Sequence, residues 1–124
     1  CEAVGKIVWV KSEKQMDDIT AVSGSGPAYV FAFLESLEKA AIAQGLSQEQ
    51  ARLLAVQTLQ GAAKLAAQSS ESPATLREHV TSKGGTTHAA LTVLEQESWA
   101  QIMMKAVAAA SQRSEAMGQE FSKK

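Results

Sequence analysis

Apolar residues recur at spacings of three and four along most of this chain, the pattern of amphipathic helices. Two stretches show it most clearly: one predicts a helix over residues 48–68, and the other predicts a helix that begins after Ser98, which can cap it. The predicted apolar faces carry, in order, Ala51, Leu54, Ala55, Thr58, Leu59, Ala62 and Leu65, then Trp99, Ile102, Met103, Ala106, Val107 and Ala110.

Helix-start and helix-stop residues divide the rest of the chain. Ser25 or Gly26 can cap a long helix that starts at Pro27, because proline tolerates the first helical position, and Gly45 can end that helix. The same kinds of signal predict a helical turn over residues 17–22, a capping box of Ser47 and Gln50, a short helix from Pro73 towards Val80 capped by Ser72, and a helix from Thr87 to Gln96.

The first turns of the Pro27 helix are apolar on every face over residues 28–34. A helix on the surface of a small monomer keeps one polar face. We therefore expect other helices, of this chain or of a partner chain, to enclose this segment.

Composition narrows the class of protein. A chain of 124 residues, with 45% hydrophobic and only 5% aromatic residues, predicts a single, mostly α-helical domain. The net charge of −1, with scattered basic residues, argues against nucleic acid as a partner. Cys1, the sole cysteine, favours a reducing cytoplasm, and no spacing predicts a metal site. No apolar run reaches the roughly 20 residues that span a bilayer, so we expect no membrane segment.

One stretch differs from the helical pattern. Ile7-Val8-Trp9-Val10 has strand character, and no convincing second strand follows it. The chain also begins without an initiator methionine. We expect the strand to belong to a sheet in a preceding segment, or to pair with its copy in another molecule.

The best candidate site is Thr81-Ser82-Lys83-Gly84-Gly85-Thr86-Thr87. Two glycines allow unusual backbone angles, and the helix that follows should present unpaired N–H groups, which attract small anions. An ordinary turn with a left-handed glycine and a threonine N-cap fits the same spacing. As an anion site the loop would be incomplete, since a helix N-terminus contributes at most about 2 kcal/mol and millimolar binding needs about 4 kcal/mol.

Other residues that could suggest a nucleotide-binding or catalytic site do not have the sequence context that such a site requires. Gly24-Ser25-Gly26 lacks the third glycine and the βαβ unit of a dinucleotide fingerprint. The residues of Lys83-Gly84-Gly85-Thr86 stand in the wrong order for a P-loop. His79 and His88, near helix ends, are expected to be capping or surface groups rather than catalytic bases.

The order of motifs resembles a known family. One motif, Ala21-Val22-Ser23-Gly24-Ser25-Gly26-Pro27-Ala28-Tyr29, opens the long helix, and Pro73-Ala74-Thr75-Leu76-Arg77-Glu78-His79-Val80 leads into the loop that ends at Thr87. Over residues 4–115 the sequence closely resembles the C-terminal dimerisation domain of pyrroline-5-carboxylate reductase.

The resemblance implies an all-α helical bundle, like the C-terminal domain of 6-phosphogluconate dehydrogenase, that intertwines with its twin. It implies that residues 1–15 are a remnant strand and linker from a missing N-terminal Rossmann domain, and that residues 16–124 form the helical dimerisation and substrate-binding domain. Homodimers, with rings of dimers as a further assembly, are the implied partners.

The implied reaction is hydride transfer from NADPH or NADH to 1-pyrroline-5-carboxylate, giving L-proline. Most of the cofactor site would lie in the missing domain, so this chain alone is predicted to be inactive. The competing hypothesis is a free-standing helical binding or assembly module without catalysis.

The family's site residues map onto two places in this chain. The Thr87 hydroxyl would face the ring nitrogen and act in catalysis, Val80 would line the ring pocket, and Ser25, Gly26 and Pro27 would lie near the nicotinamide edge. The substrate carboxylate would be held, mainly by backbone N–H groups, by Ser82, Gly84, Gly85, Thr86 and Thr87.

Overall fold

The computed structural model describes residues 9–122 of the chain. Every regular element within that range is helical, which confirms the predicted all-α class. The elements are α1 (Glu13–Ile19), a π-helical turn (Thr20–Gly24), α2 (Gly26–Ala43), α3 (Gln48–Gln68), α4 (Pro73–His79), α5 (Thr86–Gln96) and α6 (Trp99–Ser122).

These helices form two compact units. One unit contains residues 9–28 and 100–122, and therefore α1, the π-helical turn and most of α6. The other contains residues 29–99, and therefore most of α2 together with α3, α4 and α5. The boundary expected at residues 15 and 16 stays a prediction.

Serine hydroxyls close the first turn of three helices. Ser12 accepts a hydrogen bond from the N–H of Gln15 at the start of α1, and Ser47 and Ser72 do the same for α3 and α4, at 3.1–3.2 Å. At α3 the Gln50 side chain also accepts from the Ser47 N–H at 3.0 Å, so the predicted capping box is confirmed.

Gly45 ends α2 as predicted. Its φ of 106° is left-handed, and the N–H of Leu46 donates to the carbonyl of Ala41 at 3.2 Å. The N–H of Gly45 donates to the carbonyl of Ile42 at 2.9 Å. This pair of bonds is the Schellman arrangement, in which a left-handed residue without Cβ satisfies the last carbonyls of a helix.

The expected helical turn at residues 17–22 begins earlier than predicted. α1 starts at Glu13, because Ser12 supplies the hydroxyl cap, and the chain then continues into the π-helical turn. There the N–H of Ser25 donates to the carbonyl of Thr20, five residues back, at 2.9 Å. π-Helical turns are rare and insert one additional residue per turn, and no local sequence signal predicted this one.

The prediction that Ser98 caps α6 is wrong. An N-cap residue has an extended backbone, whereas Ser98 has a left-handed φ of 60°. Its N–H donates to the carbonyl of Glu95 at 3.1 Å, so it serves the end of α5 instead. Only Glu97 and Ser98 separate α5 from α6.

Half of the predicted strand lies outside the described residues. Ile7 and Val8 lie outside the described residues, and Trp9 and Val10 have no regular secondary structure.

Within the described residues, the buried apolar side chains are small. Ala51 and Ala55 on α3 are buried in one unit, and Ala21 is buried in the other. No large apolar side chain of the described range is fully buried. Of the predicted α3 face, Leu54 and Leu65 remain about half exposed, so packing within this chain covers only part of that face.

In the first unit, two hydrogen bonds join α1 to α6. The buried Ser111 hydroxyl donates to the Asp18 carboxylate at 2.7 Å, and the Ser114 hydroxyl donates to the Asp17 carboxylate at 2.7 Å. Lys14 forms an ion pair with Asp18 at 2.5 Å. We use the name α1–α6 clasp for the five residues Lys14, Asp17, Asp18, Ser111 and Ser114.

Candidate functional site

The candidate loop begins where α4 ends. Val80 is the C-cap of α4, and the N–H of Thr81 donates to the carbonyl of Glu78 at 3.1 Å. The Thr81 hydroxyl donates to the carbonyl of Arg77 at 2.5 Å. Thr81 therefore adds hydrogen bonds to two carbonyls at the end of α4, both of which also accept the Val80 N–H.

A tight turn follows immediately. The N–H of Gly85 donates to the carbonyl of Ser82 at 3.0 Å, with Lys83 and Gly84 between them. Gly84 has a left-handed φ of 76°, as the third residue of a type II turn requires. A Cβ atom at Gly85 would lie 2.5 Å from the Ser82 Oγ and 3.2 Å from the Ser82 carbonyl oxygen. The first glycine is thus required by its backbone angle and the second by the closeness of Ser82.

The N-terminus of α5 is open. Its N-cap is Gly85, which has no side chain to accept a hydrogen bond, and the first helical bond joins the Ala89 N–H to the Gly85 carbonyl at 3.1 Å. Within the part of the chain that the structure describes, the N–H groups of Thr86, Thr87 and His88 donate to no acceptor. The serine-capped starts of α1, α3 and α4 contrast with this one.

Electrostatics at this helix end favour a negative ligand. The first turn of α5 contains no acidic residue, and exposed Lys83 lies in the adjoining turn. Three aligned N–H groups and the helix dipole together form a place where a carboxylate can bind. Of the ordinary-turn alternative, the threonine N-cap is wrong, because α5 begins at Thr86 and its N-cap is Gly85, whereas the left-handed glycine is present at Gly84.

The residues predicted to hold the carboxylate are contiguous in this loop. Ser82, Gly84 and Gly85 form the turn, and Thr86 and Thr87 form the first turn of α5. Thr87 is half-buried, and its hydroxyl makes no hydrogen bond with another described residue. Val80, predicted to line the ring pocket, is 65% exposed directly before the loop. These roles stay predictions.

The residues predicted for the nicotinamide edge lie at the start of α2. Ser25 follows the π-helical turn, and Gly26 and Pro27 are the first residues of α2. They belong to the first compact unit, whereas the loop belongs to the second. Their contact with a cofactor stays a prediction.

The two histidines differ in their surroundings. The His79 Nδ1 lies 3.2 Å from a carboxylate oxygen of Glu71, and both side chains are about half exposed. His88 is exposed in the first turn of α5. The bonds of Thr81 were not predicted, although a threonine directly after a helix end can donate its hydroxyl to the last carbonyls of that helix.

Comparison with known proteins identifies the family of this chain. Residues 13–117 match the sequence model of the pyrroline-5-carboxylate reductase dimerisation family. The curated pyrroline-5-carboxylate reductase of Pasteurella multocida is 48% identical over 120 residues, which cover 96% of this chain and 44% of that protein.

Solved structures give the same result. A pyrroline-5-carboxylate reductase from Coxiella burnetii superposes with a TM-score of 0.88 at 46% identity, covering 92% of this chain and 42% of that one. The Plasmodium falciparum pyrroline carboxylate reductase, solved with NADP bound, superposes with a TM-score of 0.85 at 41% identity, covering 90% and 43%. The chain thus spans less than half the length of these relatives. No helix in the described residues has both the length and the apolar character needed to cross a membrane.

Proposed function

The chain belongs to the pyrroline-5-carboxylate reductase dimerisation family, and on that premise we propose that it is the helical domain of a reductase that converts 1-pyrroline-5-carboxylate to L-proline with NADPH or NADH. In this proposal the chain supplies the substrate-carboxylate loop and the dimer interface. The open N-terminus of α5, preceded by a glycine where three other helices have a serine cap, is the observation that carries it.

The carboxylate is proposed to bind across the start of α5. The N–H groups of Thr86, Thr87 and His88 are available to it, and the turn at Gly84 and Gly85 keeps side chains out of its way. The helix terminus contributes about 0.3–1 kcal/mol, and up to about 2 kcal/mol when partly buried. Because millimolar binding requires about 4 kcal/mol, further walls must contribute. We assign those walls to Val80, to the cofactor and to a partner subunit.

The reaction places few demands on acid–base groups. A protonated imine is already electrophilic, so holding its C=N carbon against the nicotinamide supplies much of the catalysis. Hydride adds to that carbon as the C=N double bond becomes a single bond, and the nitrogen keeps its proton. The Thr87 hydroxyl, which makes no bond within the described residues, is proposed to face this nitrogen.

The cofactor is proposed to bind mainly to a nucleotide-binding domain of the complete protein. The relatives are more than twice as long as the segment they share with this chain, and one was solved with NADP bound. Ser25, Gly26 and Pro27 would then approach the nicotinamide edge from the start of α2.

We further propose that the chain forms a homodimer whose helices intertwine. On α2, Phe31 is 66% exposed, and on α6, Met104 is 70% exposed. Apolar side chains of this size on several helices are typical of a surface that another chain covers. Assembly of such dimers into rings, and a location in the cytoplasm, stay predictions.

The test is a reductase assay on the protein expressed from its complete reading frame. We expect oxidation of NADPH or NADH that depends on 1-pyrroline-5-carboxylate. The variant Gly85→Ala should raise the KM for that substrate at least tenfold while the KM for the cofactor changes less than about twofold, because the added Cβ would disturb only the loop.

A matched control is Gly61→Ala in α3, where an added Cβ meets nothing within 4 Å. This variant should keep wild-type kinetics. Absence of substrate-dependent oxidation in a folded protein, or an unchanged substrate KM in Gly85→Ala, would refute the proposed site.

A further inference from the structure

Thr81 makes bonds that set it apart from the other hydroxyl residues near the loop. Its hydroxyl donates to the Arg77 carbonyl at 2.5 Å and its N–H donates to the Glu78 carbonyl at 3.1 Å. The side chain is half-buried. Since a hydroxyl has one proton to donate, Thr81 has no donor left for a ligand.

The hydrogen bonds of Thr81 fix the direction of the backbone as it enters the turn from Ser82 to Gly85. Ser82 follows at once, and its carbonyl accepts the Gly85 N–H that closes the turn. Ser82 and Gly85 are so close that an added Cβ would lie 2.5 Å from the Ser82 Oγ. Because Gly85 is the N-cap of α5, the position of Ser82 determines where the open N–H groups of α5 lie.

We propose that Thr81 is a positioning residue for the carboxylate loop. Its hydroxyl, bonded to the last turn of α4, fixes the turn from Ser82 to Gly85 and thereby the N-terminus of α5. It touches neither substrate nor cofactor and acts through Ser82 and Gly85. This inference rests on the proposed function, since it names the residue that orients the proposed carboxylate site.

The test compares two substitutions in the full-length reductase. Thr81→Val keeps the side-chain shape but removes the donor, so the KM for 1-pyrroline-5-carboxylate should rise about threefold to tenfold. The KM for the cofactor and kcat should change less than about twofold. Thr81→Ser retains the hydroxyl and should restore the substrate KM to within about twofold of wild type.

The chain offers a matched control. The Thr92 hydroxyl donates to the His88 carbonyl at 2.8 Å, the same bond four residues back, but in the middle of α5. Thr92→Val removes that bond without touching the loop and should leave the substrate KM unchanged. If Thr92→Val raised the substrate KM as much as Thr81→Val does, the cause would be a general loss of stability. That result would refute the positioning role of Thr81.

Other outcomes separate this inference from the proposed function. If Gly85→Ala raises the substrate KM and a folded Thr81→Val does not, Thr81 has no positioning role. The proposed carboxylate site is then still supported. If neither variant changes the substrate KM, the proposed carboxylate site is wrong. Melting curves identify unfolded variants, and Thr81→Ala, with the same expected rise in KM, replaces Thr81→Val if the latter does not fold.

Discussion

At the scale of single residues, the adjacent glycines of the loop serve different purposes. Gly84 is in left-handed backbone and an added Cβ there would meet no atom within 4 Å, whereas Gly85 has an ordinary φ of −88° and Ser82 beside it. An alanine at Gly84 would be strained by roughly 1 kcal/mol without crowding the anion site. An alanine at Gly85 would meet the Ser82 hydroxyl.

This difference predicts a rescue. In Gly85→Ala the nearest clash is with the Ser82 Oγ, so the double variant Ser82→Ala/Gly85→Ala should recover part of the lost substrate affinity. We expect its KM for 1-pyrroline-5-carboxylate to fall at least threefold below that of Gly85→Ala. Steady-state kinetics of both single variants and the double variant measure this coupling. Strictly additive effects would show that crowding by Ser82 is not the cause.

Thr87→Val tests the proposed contact with the ring nitrogen. The substitution keeps the side-chain size and removes one hydrogen bond, worth roughly 0.5–1.5 kcal/mol, so kcat/KM should fall about threefold to tenfold. If the hydroxyl contacts the nitrogen only as hydride moves, the loss appears in kcat rather than in KM. Thr92→Val, which removes a hydroxyl of α5 outside the loop, is the control and should retain kcat. Wild-type kcat/KM in Thr87→Val would remove Thr87 from the mechanism.

Ser98 offers a prediction on stability. A serine at φ 60° between α5 and α6 adopts a conformation that glycine reaches without steric cost. Ser98→Gly should therefore raise the free energy of unfolding by about 0.5–1 kcal/mol, and Ser98→Ala should not. Urea unfolding followed by circular dichroism measures the change. Equal stability of the two variants would contradict the strain argument.

At the scale of elements, the α1–α6 clasp links two helices that are far apart in sequence. The bond to Lys14, followed by that to Ser111, lowers the pKa of Asp18 below its ordinary value of 3.8. A carboxyl group with a lowered pKa stabilises the fold above its ordinary pKa and loses that contribution as pH falls through the folded value. The clasp should therefore weaken in acid, below about pH 4, and be intact at neutral pH.

The measurement is a series of thermal melts between pH 2.5 and pH 7. Asp18→Asn should lose less stability than wild type over the acid part of this range, because it has no carboxylate at residue 18 to protonate. Glu95→Gln is the control, since Glu95 forms no ion pair within the described residues, and it should follow the wild-type curve. Identical acid profiles for wild type and Asp18→Asn would show that the clasp does not contribute.

At the scale of the whole molecule, every helix of the described range except α4 presents large apolar side chains that remain exposed. The fully buried apolar residues of the described range are alanines, and a core of that size cannot by itself offset the entropy of ordering a chain. Stability and association are therefore expected to be coupled.

This coupling predicts an obligate dimer. Sedimentation equilibrium of the wild-type chain at micromolar concentration should show a dimer. Phe31→Lys introduces a charge at an exposed apolar position of α2 and should shift the population from dimer to unfolded monomer or to aggregates. Lys64→Glu, a charge change at an exposed polar position of α3, is the control and should remain dimeric. A folded wild-type monomer under these conditions would contradict the interface.

The sequence by itself determined the helices, most of their ends and the family. Spacings of three and four locate the helices, and Ser47, Ser72 and Gly45 act within a few residues of their own position, so local chemistry suffices. The loop from Thr81 to Thr87 was likewise recognisable from its glycines and hydroxyls. Only the tertiary structure decided the features that depend on neighbouring elements.

Those features are the left-handed Ser98, the π-helical turn, the clasp across more than 90 residues and the choice of Gly85 rather than a threonine as N-cap of α5. The clasp joins residues 93 and 97 positions apart, so no window of a few residues contains that information, and the other three features had no specific signal in the residues around them. At α5 the choice has a chemical consequence, because a glycine cap leaves the helix N–H groups free for a ligand.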